Sequence, residues 1–140
     1  MPASRALSNG HIHHVEVNVS NLKRSAGFYQ ALLAWLSYRR VLVKPDIVGW
    51  KLGKTRIFLV QCERRFLRSG FHRKNVGLNH IAFRLPSRQM VARFYKKYLL
   101  ARGIPVLYGG PKEWPEYEGG YYAVYFEDPD RIKLEIVHTP

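Results

Sequence analysis

Apolar and polar residues alternate along His14-Val15-Glu16-Val17-Asn18-Val19, the period of a strand with one buried face. Ser20-Asn21 follows as a helix cap, and Leu22, Phe28, Tyr29, Leu32, Leu33 and Leu36 then keep helical spacing. The same order returns at an offset of 66 residues. His80-Ile81-Ala82-Phe83-Arg84-Leu85 reads as a strand. Pro86-Ser87 opens a helix with Val91, Phe94, Tyr95, Tyr98 and Leu99 on its apolar side, and Gly103 stops it. His14 and His80, Phe28 and Phe94, and Tyr29 and Tyr95 share the offset. After each helix come about three further strands, near 38–44, 47–53 and 56–62, then near 105–109, 121–127 and 132–138. Arg56-Ile57-Phe58-Leu59-Val60 matches Arg131-Ile132-Lys133-Leu134-Glu135, and a longer Gly- and Pro-rich loop from Pro105 to Gly120 absorbs the difference. Each half therefore reads as strand, helix and three strands. Halves this small bury little apolar area alone, so they are expected to pack together.

Strand parity then sorts the polar residues. Val15, Val17 and Val19 face a helix, which turns His14, Glu16 and Asn18 the other way. Ile81, Phe83 and Leu85 do the same for His80, Ala82 and Arg84. In the last strand Ile132, Leu134 and Ile136 leave Lys133, Glu135 and Val137 on the opposite face. His14, His80 and Glu135 come from three strands and share one kind of face. Two imidazoles and a carboxylate suit a divalent metal (Fe, Mn, Zn or Ni) with positions left open for substrate or water. A polar strand histidine with no metal is the plain alternative for either imidazole, but the repeat places both at one position. His13 has the helix-side parity, His11 lies near a terminus, and His138 falls past the expected end of pairing.

Composition narrows the class. With 140 residues, 46% hydrophobic and 24% charged, the chain reads as one globular domain, 1–140. No apolar run approaches the roughly 20 residues that a membrane helix needs. Met1-Pro2-Ala3-Ser4-Arg5 has no apolar signal core, and the single Cys62 excludes an internal disulfide, so a cytoplasmic location is expected. Residues 1–112 hold 21 Lys and Arg against 3 acids, whereas residues 113–140 hold 2 against 7. The densest basic run, 64–74, carries Phe66 and Phe71 among its charges. No helix-turn-helix or zinc-finger pattern accompanies it, so nucleic-acid binding is not expected. A solvated basic surface that steers small anions explains the charge as well.

Three segments carry a resemblance. His14 to Tyr29, Leu78-Asn79-His80-Ile81-Ala82-Phe83, and Tyr125-Phe126-Glu127-Asp128-Pro129-Asp130-Arg131-Ile132-Lys133-Leu134-Glu135 resemble the vicinal oxygen chelate superfamily. That superfamily includes glyoxalase I, fosfomycin-resistance thiol transferases, bleomycin-binding proteins and extradiol dioxygenases. The resemblance spans about residues 11–138. It implies an α+β fold of two βαβββ modules, about 11–63 and 78–138 with a linker 64–77, forming an open, concave mixed sheet around a metal cavity. It implies His14, His80 and Glu135 as ligands, with the fourth position falling at Val60, which cannot ligate. Glyoxalase I members carry a carboxylate there. Arg131 stands where many members have Gly, in a turn that costs about 1 kcal/mol if its φ is positive.

The site chemistry follows. A metal would act as a Lewis acid on a small oxygenated substrate. Glu16 is a candidate base on the His14 face. Tyr122 and Tyr125 have opposite parity, so only one can face the cavity, and Tyr122 is the candidate. Arg84 is a candidate for holding a substrate carboxylate or phosphate. Trp114, with Tyr108 and Tyr117, lies in the long loop and either covers the substrate or packs that loop on the body. The function expected is a metal-dependent dioxygenase, lyase, isomerase or thiol transferase, acting as a homodimer. The alternatives are a metal-free drug-binding or resistance protein and a basic nucleic-acid-binding module.

Overall fold

The structure is a computed structural model that describes residues 9–140. The chain divides into two compact units, one ending at Leu67 and one beginning at Arg68. The first unit runs β1 (His14–Val19), α1 (Leu22–Trp35), β2 (Arg39–Lys44), β3 (Ile47–Leu52) and β4 (Thr55–Gln61). The second runs β5 (His80–Arg84), α2 (Arg88–Phe94), β6 (Val106–Glu113), β7 (Tyr122–Glu127) and β8 (Lys133–His138). Each unit is a βαβββ module with a four-stranded mixed sheet, ordered β1-β4-β3-β2 and β5-β8-β7-β6. β1 runs parallel to β4 and β5 to β8, and the remaining pairs are antiparallel. The fold is α+β, as the repeated pattern predicts. No helix among the described residues is long and apolar enough to cross a membrane.

The helices start where the caps predict. Asn21 Oδ1 accepts from the Arg24 amide at 3.0 Å, and Ser87 Oγ accepts from the Met90 amide at 3.1 Å. α2 continues into a π-helical stretch, Tyr95–Leu100, and the Gly103 amide closes back on the Leu100 carbonyl at 3.1 Å with positive φ. In the first unit Tyr29, Leu32 and Leu33 of α1 are buried with Val17, Val19, Trp50, Ile57 and Leu59 of the sheet. In the second, Val91, Phe94 and Leu99 are buried with Val124, Phe126, Leu134 and Ile136. Alternation leaves His80, Lys133 and Glu135 on the other face of the second sheet, beside a buried apolar patch of Ala123, Tyr125 and Val137.

Two expectations change. The segment Pro105 to Gly120 is not a loop throughout. β6 extends to Glu113, interrupted by a break in the ladder between Leu107 (opposite Tyr125) and Lys112 (opposite Ala123). Gly109 and Gly110 read as loop in sequence, but their positive φ angles of 86° and 107° are what let the strand bulge and resume. His138 does not lie past the pairing. It pairs with Tyr122 at the end of β8, and its Nδ1 is 3.1 Å from the Leu85 carbonyl. Arg131 does take a positive φ, 65°, so the cost of about 1 kcal/mol applies.

Registers within each unit also revise the internal match. In the first, β1 sets Glu16 opposite Phe58; in the second, β5 sets Ala82 opposite Glu135. His14 lies opposite Arg56, and His80 opposite Lys133. The counterpart of Glu135 is therefore Phe58, not Val60. Its ring meets His14 edge-on at a centroid distance of 5.6 Å. A side chain on Gly49, its cross-strand neighbour, would overlap that ring.

Candidate active site

In the second unit the registers set His80 beside Lys133, Ala82 beside Glu135, and Glu135 beside Tyr125. Directly paired residues share a face, so His80, Lys133, Glu135 and Tyr125 stand together on the face away from α2. Glu135 is completely buried, which is rare for a carboxylate without partners. Tyr121 Oη donates a short hydrogen bond to its Oε1. Among the described residues Oε2 has no hydrogen-bond partner, yet it lies 2.9 Å from His80 Nε2. The two atoms are close but lack the angle of a hydrogen bond.

The tautomer explains the pairing. His80 Nδ1 is 2.7 Å from Asn79 Oδ1, an atom that can only accept, so the ring proton sits on Nδ1. In the neutral ring Nε2 then turns a lone pair toward the same region as Oε2. Two atoms that bind one ion at about 2.0–2.2 Å, roughly at right angles, stand about 3 Å apart. The pair fits a shared cation, and Asn79 and Tyr121 are the supporting groups that such ligands use. Among the described residues no group of three or more His, Cys, Asp or Glu side chains is gathered to hold a metal.

His80 opens onto a cavity of about 530 Å³. Asn79, Lys133, Tyr121 and Tyr125 line it, with Tyr108, Trp114 and Tyr117. Burial, then the hydrogen bond to Glu135, pushes the Tyr121 phenol up to about 12. Burial, then the Glu135 charge, pushes Tyr125 up further. Both stay protonated near neutral pH and serve as hydrogen-bond donors. Trp114 and Tyr117 are near parallel, 16° between planes at 5.9 Å. Tyr108 meets Trp114 and Tyr125 edge-on at 5.7 Å and 5.4 Å. Its φ of 60° is left-handed, a conformation costing about 1 kcal/mol or more for a residue other than Gly.

The other candidates fall as follows. Trp114 lines the cavity. Tyr122 does not: it stands on the helix face, with the Arg88 guanidinium 4.7 Å over its ring, and Tyr125 is the tyrosine that faces the cavity. Arg84 has the parity of His80 but is exposed and outside the cavity lining. In the first unit, His14 Nε2 lies 3.5 Å from Glu16 Oε2, both half exposed, and His14 Nδ1 lies 2.9 Å from His13 Nδ1. Sequence reasoning did not single out Asn79, Tyr121 or Lys133 as site residues. Asn79 and Lys133 could have been found as the neighbour of one ligand and the same-face neighbour of the other. Tyr121 precedes its strand and gave no periodic signal.

Comparison with known proteins places these features in context. Residues 11–136 match the profile of the Glyoxalase/Bleomycin resistance protein/Dioxygenase superfamily. The chain is 38% identical over 128 residues to the uncharacterised Bacillus subtilis protein YqjT, covering 90% of this chain and 97% of the relative. A crystal structure from Bacillus halodurans, described as a candidate glyoxalase, is 42% identical with a TM-score of 0.85, covering 94% and 97%. A lactoylglutathione lyase from Agrobacterium tumefaciens is 24% identical with a TM-score of 0.67, covering 91% and 92%, and shows a shared fold.

Proposed function

The chain belongs to the glyoxalase/bleomycin resistance protein/dioxygenase superfamily, and from that premise we propose that it is a metal-dependent enzyme acting on a small oxygenated substrate. The observation that carries this reading is the buried, half-partnered Glu135 carboxylate 2.9 Å from His80 Nε2 at an open cavity. In the proposal His80 and Glu135 would hold one divalent ion. When bound, it would supply Lewis-acid chemistry to a substrate oxygen. Asn79 keeps the His80 ring proton on Nδ1, so Nε2 stays available. Tyr121 fixes the Glu135 carboxylate through Oε1. Tyr121 spends its phenol proton on Glu135, so Tyr125 is the phenol proposed to hydrogen-bond a substrate oxygen in the cavity. Glu16, half exposed on the His14 face, is the proposed proton acceptor. A homodimer is part of the proposal, and its light-scattering mass should be twice 16.3 kDa.

A second reading, a metal-free small-molecule binding protein, draws on the exposed aromatic rings of the cavity. Metal content separates the two. Protein purified without a metal-chelate column should carry about one divalent ion per chain, and His80→Ala and Glu135→Ala should each lose it, while His138→Ala keeps it. Metal-free wild type that takes up no Mn(II), Fe(II), Ni(II) or Zn(II) would favour the binding protein.

A further inference from the structure

We infer that the cavity of the second unit takes a flat, conjugated ligand that carries an anionic group, with Lys133 as the anchor for that group. This rests on reading that cavity as the substrate site, but not on the presence of a metal. Two features make the walls aromatic. Tyr108 is 47% and Tyr117 60% exposed, so both offer ring surface that the protein leaves uncovered. The left-handed Tyr108 backbone, followed by Gly109 and Gly110 at positive φ, sets one of these rings against Trp114 and Tyr125. Strain retained at a cavity wall is expected where the side chain it positions is used. A volume of about 530 Å³ accommodates a fused or substituted ring.

Charge decides the sign of the ligand. An aromatic box by itself would suit a cation. Here cations already occupy the rings: Lys133 Nζ lies 5.6 Å and 5.5 Å from the Tyr108 and Tyr125 centroids, and Lys112 Nζ 4.4 Å from that of Trp114. A second cation would be repelled. Lys133 forms no ion pair among the described residues. Its cross-strand neighbour Glu127 is engaged by Arg73 at 2.8 Å and by Arg131 at 3.3 Å. Glu135, on the same face, is directed to Tyr121 and His80. The ammonium in the cavity therefore lacks a counter-charge, and a carboxylate or similar anion on a stacked ring supplies it.

The test is binding of 2-naphthoate to the full-length protein in EDTA, followed by titration calorimetry. Two further probes each remove one feature: 2-naphthamide lacks the charge and cyclohexanecarboxylate lacks the ring. Saturable 2-naphthoate binding, with both other probes weaker by about tenfold or more, is expected. Lys133→Met should weaken 2-naphthoate by about tenfold and leave 2-naphthamide unchanged, whereas Tyr117→Ala should weaken both aromatic probes. Equal affinity for the acid and the amide, an unaffected Lys133→Met, or no binding of 2-naphthoate would overturn the inference. Because EDTA is present throughout, these outcomes do not depend on metal uptake: a protein that takes up no metal in the metal-content experiment yet binds the acid here loses the enzyme reading and keeps this inference.

Discussion

At the scale of single residues, the site turns on one carboxylate. A fully buried charge is costly unless hydrogen bonds and an opposite charge compensate it. Glu135 has a phenol on one oxygen and His80 Nε2, a lone-pair nitrogen when the ring is neutral, 2.9 Å from the other. In metal-free protein this arrangement should work against stability. Glu135→Gln keeps the volume and removes the charge, so in EDTA its urea-unfolding free energy should equal or exceed that of wild type. Tyr121→Phe removes the hydrogen bond to Oε1 and should lower it by about 1–3 kcal/mol. A Glu135→Gln variant clearly less stable than wild type in EDTA would mean that the carboxylate is already satisfied without an ion. Glu135 was legible in the sequence because Ile132, Leu134 and Ile136 fix the helix side of β8. Its partner Tyr121 was not, because a residue just outside a strand has no parity to read.

At the scale of elements, the instructive error is register. Alternating apolar residues fix which face a side chain takes, but a slip of two residues changes no face. The match of 56–60 to 131–135 is such a slip, and only the ladders reveal Phe58 as the counterpart of Glu135. Tyr122 was misjudged for a related reason: Tyr121 to Phe126 is apolar on both faces, so the run has no alternation to orient it. The helices were legible, since capping by Asn21 and Ser87 and the 3.6-residue period act locally. The bulge of β6 was not, because Gly109-Gly110-Pro111 carries turn chemistry in a segment that resumes pairing. The corrected register makes a prediction. Phe58 stands against His14 on top of Gly49, so Phe58→Glu puts a carboxylate where the second unit has Glu135. Phe58→Glu should add a second Mn(II) equivalent, held beside His14, while Val60→Glu should add none; the reverse pattern would favour Val60 as the equivalent position.

At the scale of the whole molecule, one βαβββ plan is used twice with different side chains at equivalent places. The second unit keeps His80 and Glu135 with an aromatic cavity; the first keeps His14 but has Phe58 and Gly49 where the second has Glu135 and Tyr125. The net charge of +13 attracts anions over distances that single contacts cannot reach, in keeping with the anionic ligand inferred for the cavity. The central claim remains that Glu135 and His80 are metal ligands. Co(II) reports it directly, because protein ligands shift and intensify its visible absorption relative to the weak band of the aqua ion. Titration of metal-free wild type should give bands that saturate at about one Co(II) per chain, and His80→Ala and Glu135→Gln should abolish them. Wild-type protein without such bands, or a Glu135→Gln spectrum that matches wild type, would contradict it.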